Sequence, residues 1–194
     1  MLLANLRSGT LTINIRAFVA LWLPPEHRQR LSDYLAECAA AAPDFRWVRP
    51  DGLHVTLRFL GGLEEGPLAA VRSGLAGVHD SPFEVELGDL GDFGGRRAAR
   101  VVWSGLRLGG EEAARLATAV EAACRSAGLD PEARAFRPHV TLARARSRSG
   151  APAPTLPEPP QLGPWTAREM TLFESRLGGG PAVYEPIQTY PLKD

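Results

Sequence analysis

The chain writes one tetrapeptide twice, as His54-Val55-Thr56-Leu57 and again as His139-Val140-Thr141-Leu142, inside the stretches GLHVTLRFLGG and FRPHVTLARAR. Val, Thr and Leu suit a pleated, half-buried surface, and side chains alternate faces along a strand. Each copy therefore predicts a strand with His and Thr on one face and the aliphatic pair on the other. If a duplicated fold brings the two polar faces together, the result is a pocket holding two imidazoles and two hydroxyls. Such a pocket has an acid, a base and two hydrogen-bond donors.

A single His-x-Thr is more often a hydrogen-bonded structural feature than a catalytic one. Here two of only four histidines share the same four-residue context, which favours a functional pair. His27 and His79 lie outside any repeat and are expected at the surface. A metal site built on His54 and His139 would lack a carboxylate or thiolate at ligand spacing, and threonine is a poor zinc ligand. No cofactor or metal is expected.

The order of elements repeats with the motif. Arg16 to Leu23 reads as a central strand ended by Pro24 and Pro25, and Pro25 suits a first helical turn because its missing N–H is not needed there. Leu31, Leu35, Cys38 and Ala42 follow at helical spacing, then a short extended piece over 45–48 and a turn through Arg49-Pro50-Asp51-Gly52. A second helix over 64–78 and a strand from Phe83 come next, then a Gly- and Arg-rich connection over 91–99. The strand 100–106, a helix over 111–127 stopped by Gly128, and the second His-x-Thr strand repeat the first half's sequence of elements. Residues 147–165 predict a surface loop and 166–177 a strand. After a Gly178-Gly179-Gly180 turn, 183–192 is demoted to an edge strand by Pro186 and Pro191.

Bulk properties narrow the class. With 44% hydrophobic and 23% charged residues, the chain has the composition of an ordinary globular domain. Its 22 basic and 22 acidic residues cancel, so no global field draws in nucleic acid, and a basic site has to be local. The acid-poor run holding Arg134, Arg137, Arg144, Arg146 and Arg148 is the candidate. Cys38 and Cys124 fall in helical patterns and are expected as buried free thiols, in keeping with a reducing compartment. No stretch reaches bilayer-spanning length and the first residues do not read as a secretory signal. The expectation is a cytoplasmic monomer with residues 1–15 as an extension, either a disordered lead or an extra edge strand in which Leu11, Ile13 and Ile15 alternate, followed by one bilobal domain over 16–194.

The paired motifs, with RAFVALWLP before them, ARVVWSGL between them, and LFESRL and YEPIQTYPL after them, resemble the two-histidine (2H) phosphoesterase superfamily. The likeness is greatest to its bacterial and archaeal RNA 2′,3′-cyclic phosphodiesterases, historically called 2′-5′ RNA ligases. The resemblance implies an α+β fold in which two antiparallel β-sheets line a central cleft with helices packed outside; patterning alone yields only α+β. It implies RNA with a 2′,3′-cyclic phosphate end as the partner, opened without a metal to a 2′-phosphate. His54 would protonate the departing 3′ oxygen and His139 would activate water, while Thr56 and Thr141 hold the phosphoryl oxygens. Run backwards with a 5′-hydroxyl in place of water, the same groups would ligate RNA. Five residues beyond each histidine stand Phe59 and Arg144, whose equivalents in related enzymes contact a nucleobase and a phosphate. Strict alternation places both on the wrong face, so a strand end, twist or bulge must turn them. Two alternatives stay open: a small cyclic nucleotide such as ADP-ribose cyclic phosphate as substrate, or a non-catalytic nucleotide-binding module.

Overall fold

The computed structural model describes residues 5–7, 10–12, 14–95, 97–176, 178 and 182–193. The frame of the molecule is an antiparallel sheet in the order β11-β10-β3-β5-β8-β7-β6-β9, with β4 pairing β8 off that path. Its strands are β3 (Ile15–Trp22), β4 (Phe45–Trp47), β5 (His54–Leu63), β6 (Phe83–Phe93), β7 (Val101–Leu108), β8 (His139–Ala145), β9 (Trp165–Ala167), β10 (Glu169–Arg176) and β11 (Val183–Pro191).

The two motif strands, β5 and β8, lie side by side at the middle, joined by the single pair Val55↔Val140. On one side of this seam β3, β10 and β11 extend the half that carries His54, and on the other β7, β6 and β9 extend the half that carries His139. The expected two sheets are thus the two wings of one antiparallel sheet. β3 and β7 occupy corresponding places, each beside its own motif strand. The chain crosses between wings at Arg168, so the strand expected over 166–177 is divided into β9 on one wing and β10 on the other.

Three helices cover the back. α1 (Pro25–Ala41) opens with proline in its first turn and buries Leu31, Tyr34, Leu35 and Cys38 at helical spacing. α2 (Glu65–Leu75) buries Leu68, Val71 and Leu75, and α3 (Gly110–Ser126) buries Leu116, Val120 and Cys124, with Glu111 and Glu112 in the first turn, where they favour the positive end of the helix dipole. These faces join Val55, Leu57, Val140 and Leu142 in one core that runs beneath both wings. Fully burying an aliphatic side chain contributes roughly 1.5–3 kcal/mol, so this shared core fixes which face of each motif strand is inside. The opposite face, with the histidines and threonines, forms the cleft.

Several expectations are revised. β6 continues through Gly91 to Phe93 rather than ending before the Gly-rich connection, because Gly91 pairs with Trp103 as a strand residue. The segment 147–164 has no regular elements, as expected, but it lies against α1: the Arg30 guanidinium donates to Gln161 O at 2.5 Å and Tyr34 OH to Pro157 O at 3.3 Å. His27, expected at the surface, is covered by this strap and only 7% exposed. Its Nε2–H donates to Gly163 O at 3.2 Å, and its ring meets Trp165 edge-on. Among the described residues of the extension, 5–7 and 10–12 pair with each other as β1 (Asn5–Arg7) and β2 (Thr10–Thr12) and not with the main sheet, while Ile15 already belongs to β3. Ile13 of that expected strand, and Gly179 and Gly180 of the expected turn, lie outside the described residues. Cys38 and Cys124 are buried free thiols.

Candidate active site

His54 and His139 open their strands at the seam, and their side chains are held in the same way. Nδ1 of His54 lies 2.8 Å from the carbonyl oxygen of Gly52, and Nδ1 of His139 lies 2.6 Å from that of Arg137. A carbonyl only accepts, so the proton sits on Nδ1 in both neutral rings, which leaves Nε2 as the nitrogen that can accept or deliver a proton. With Val55 opposite Val140, continuation of the antiparallel register sets His54 across from Thr141 and Thr56 across from His139.

Burial is the main influence on both imidazoles. It lowers His54 to about 4, helped by Arg144 and His139 and opposed by the bond to Gly52. His139 is also lowered, again chiefly by burial, with Arg144 and Arg137 acting in the same direction. Both rings are therefore neutral near pH 7 while the cleft is empty.

The two motif strands carry the same bulge. Along β3 and β5 the pairs run Ala20↔Thr56 and then Val19↔Arg58, which leaves Leu57 as the extra residue. Along β7 and β8 they run Trp103↔Thr141 and then Val102↔Ala143, which leaves Leu142 extra. Each bulge falls three residues after its histidine and reverses the alternation beyond it. Phe59 pairs with Phe18, two residues along β3 from the partner of Thr56, and Arg144 pairs with Val101, two residues along β7 from the partner of Thr141. Both are thereby turned onto the histidine face, where Phe59 is 47% exposed and the Arg144 side chain is close enough to depress both histidines. The predicted set His54, His139, Thr56, Thr141, Phe59 and Arg144 is brought together on one surface.

The reversal has a second product. Arg58 goes inside, only 9% exposed, with Nε 2.6 Å from Glu121 and Nη1 2.9 Å from Glu132. It also donates to the carbonyls of Phe59 and Asp130. Arg58 thus fastens the first motif to α3 and to the segment that leads into the second motif.

Sequence reasoning did not find the aromatic walls. Trp22, paired with His54 in register, stacks nearly parallel on its ring, 5.4 Å between centroids and 5° between planes. Phe18 and Tyr184 complete the enclosure at 4.8 and 5.3 Å. At the corresponding place beside His139 stands Gly105, and that ring is met only edge-on, by Phe93 at 5.0 Å and Trp103 at 6.2 Å. The signal that could have exposed Trp22 and Trp103 is that each lies on a strand preceding a motif strand in the repeated order. Among the described residues no three His, Cys, Asp or Glu side chains gather as a metal-ligand set.

Two symmetric wings that each deliver a His-x-Thr to one cleft are the architecture of a two-histidine phosphoesterase. The chain belongs to the LigT-like phosphoesterase family, whose profile matches residues 21–103 and 108–183. It is 32% identical over 178 residues to the RNA 2′,3′-cyclic phosphodiesterase of Escherichia coli, an alignment covering 91% of this chain and 96% of that protein. A Geobacillus stearothermophilus protein of the same description is 33% identical over 90% of this chain, which spans 56% of that relative's length. The crystal structure of E. coli LigT complexed with 3′-AMP superposes with a TM-score of 0.81 at 29% identity, covering 93% of this chain and 99% of that one. No helix among the described residues is long and apolar enough to cross a membrane.

Proposed function

We propose that this chain hydrolyses RNA 2′,3′-cyclic phosphate ends to 2′-phosphomonoesters with His54 and His139 as a metal-independent acid–base pair. The observation that carries this reading is the matched Nδ1 hydrogen bonds, which present two equivalent Nε2 atoms on adjacent strands. Membership of a family whose curated relatives are RNA 2′,3′-cyclic phosphodiesterases supports the same substrate.

In the forward reaction His139 Nε2 removes a proton from water as its oxygen bonds to phosphorus, and His54 Nε2–H delivers a proton to O3′ as the P–O3′ bond breaks. Once a bound phosphate has placed a proton on His54, the deeper burial of that ring makes it the readier donor. The stacked Trp22 face also offers a π-surface to the His54 imidazolium. The bound phosphate's negative charge opposes the desolvation that keeps the rings neutral and offsets Arg144, so the catalytic proton arrives with substrate. Thr56, Thr141 and Arg144 hold the non-bridging oxygens where charge builds, and Phe59 offers a face to a nucleobase. With a 5′-hydroxyl replacing water in the reverse direction, the pair would form a 2′-5′ linkage. Residues 16–194 would act as one unit, a monomer in the cytoplasm, with 1–15 as an extension.

The test is incubation with a short RNA ending in a 2′,3′-cyclic phosphate, in EDTA, with the 2′- and 3′-phosphate products resolved. A 2′-phosphate is the expected product. A 3′-phosphate would overturn the leaving-group assignment, and turnover only of small substrates such as ADP-ribose cyclic phosphate would replace RNA as the substrate.

A further inference from the structure

Resting on that reading, we infer that Phe93 is a positioning residue for His139: its ring and the Arg137 side chain form a clip that holds the Arg137 carbonyl against His139 Nδ1. The two motifs orient their imidazoles through the same bond but support the acceptor differently. Gly52, which serves His54, closes the 3₁₀ turn Pro50–Gly52. Its N–H donates to Arg49 O at 2.8 Å, the Leu53 N–H donates to Pro50 O at 3.3 Å, and a Cβ at Gly52 would stand 3.3 Å from both Tyr184 and Val48. Backbone hydrogen bonds and packing thus fix that carbonyl. Arg137, which serves His139, lies in the segment 130–138, which has no regular structure. There the N–H groups of Ala135, Phe136 and Arg137 have no partner among the described residues, and Arg137 is exposed.

Phe93 makes up for the missing backbone support. The Arg137 guanidinium stands 5.2 Å over the Phe93 ring, and that ring meets His139 edge-on at 5.0 Å. With His139 Nδ1 2.6 Å from Arg137 O, these contacts close a circuit in which one ring touches both the imidazole and the side chain of the residue that orients it. Phe93 is itself anchored. It pairs with Val101 at the end of β6, its carbonyl accepts the Arg100 N–H at 2.7 Å, and its ring packs on Trp103 at 5.3 Å. Trp103 is backed in turn by Gly91, where a Cβ would collide with the indole. Pro138 keeps Arg137 extended, and the attraction of a guanidinium to an aromatic face opposes the rotation that remains. The consequence is chemical. While the carbonyl is in place, neutral His139 keeps its proton on Nδ1 and its Nε2 free to take one from water; once the carbonyl drifts, the ring can adopt the other tautomer, whose Nε2–H cannot act as a base.

The experiment records the ¹⁵N resonances of the His139 ring at pH 8, identified by their loss in His139→Gln, together with turnover of adenosine 2′,3′-cyclic phosphate. Wild type, Phe93→Leu, Phe93→Tyr, Arg137→Met and the double variant Phe93→Leu/Arg137→Met are compared. In wild type Nδ1 should carry the proton. Phe93→Leu and Arg137→Met should each move proton occupancy toward Nε2 and lower kcat by about ten- to a hundredfold, with KM little changed. Phe93→Tyr, which keeps the aromatic face, should recover most of the loss, and the double variant should be no worse than the more severe single one, since both break the same clip. An unchanged His139 tautomer in Phe93→Leu would overturn the inference, as would losses that multiply in the double variant. If Phe93→Leu does not fold, Arg137→Met, altered at an exposed side chain, decides by the same tautomer signal. If wild type opens no cyclic phosphate, the proposed activity fails instead, and the resonances still judge the clip.

Discussion

Val55 sits opposite Val140 across the seam, and that one pair positions everything the cleft presents. Both valines are fully buried in the core beneath the sheet, so the residues on either side of each must face the other way. Two imidazoles and two hydroxyls are thereby interleaved around an approximate twofold axis, and neither wing holds a complete set. Replacing His54 or His139 with Ala should each cost about 10²- to 10⁴-fold in single-turnover rate. Melting temperature should change little by comparison. Full turnover in either variant would remove the pair from the mechanism.

The pH dependence comes from the depressed histidines. The reactive free form carries one proton shared over the pair. As pH rises above the upper of the two values, itself below the usual 6.5 of histidine, kcat/KM should fall tenfold per unit. Below the lower value, near 4, the second protonation should reduce it again. The alkaline limb of kcat should lie at higher pH than that of kcat/KM, because a bound phosphate restores basicity to both rings. Coincident limbs would contradict a proton brought in with substrate.

The same shifts affect stability, with a definite sign. The unfolded chain's histidines titrate near 6.5 and the folded ones lower, so between these values the unfolded state binds more protons. Stability is full above about 6.5 and is lost as pH falls toward 4, with His54 the larger contributor. In His54→Gln, chemical denaturation at pH 5 and 7.5 should show a smaller difference than in wild type. An equal difference would mean that His54 is not depressed.

Arg58 and Arg144 make a paired test, because bulges of the same kind send one inward and the other outward. Arg58→Met removes a buried guanidinium whose partners Glu121 and Glu132 are themselves partly exposed, and should destabilise by about 1–3 kcal/mol. Arg144→Met should leave the denaturation midpoint near wild type, reduce kcat/KM by about 10²-fold, and move its alkaline limb to higher pH, since the guanidinium depresses both histidines. A limb that does not move would place Arg144 away from the pair.

How much of this was legible in the sequence depends on the range of the interaction. The faces of His54, Thr56, His139 and Thr141 follow from period-two alternation, and the repeated order of elements follows from the duplication. The need for a device to turn Phe59 and Arg144 was also legible, yet its location was not, because an extra residue is defined only against the partner strand. Trp22, Phe93 and Trp103 reach the histidines across neighbouring strands, a relation that local pattern does not encode. The burial of His27 escapes local pattern for a similar reason: the strap that covers it arrives from residues far along the chain.

The two bulges also determine which changes in length the motif strands can absorb. In a regular strand the residues that share a histidine's face stand at even spacings from it, and each bulge makes the spacing five by placing two residues inward in succession. Deleting Leu57 would leave Arg58 inward and Phe59 outward against the same partners on β3, so the cleft would lose none of its groups and the core one leucine. Inserting a residue between Thr56 and Leu57 has no such outlet: with the bulge kept in place, Arg58 would swing into the cleft and Phe59 into the core. Each motif strand therefore carries a reserve of one residue, which buffers the pocket against a shortened chain and leaves it defenceless against a lengthened one.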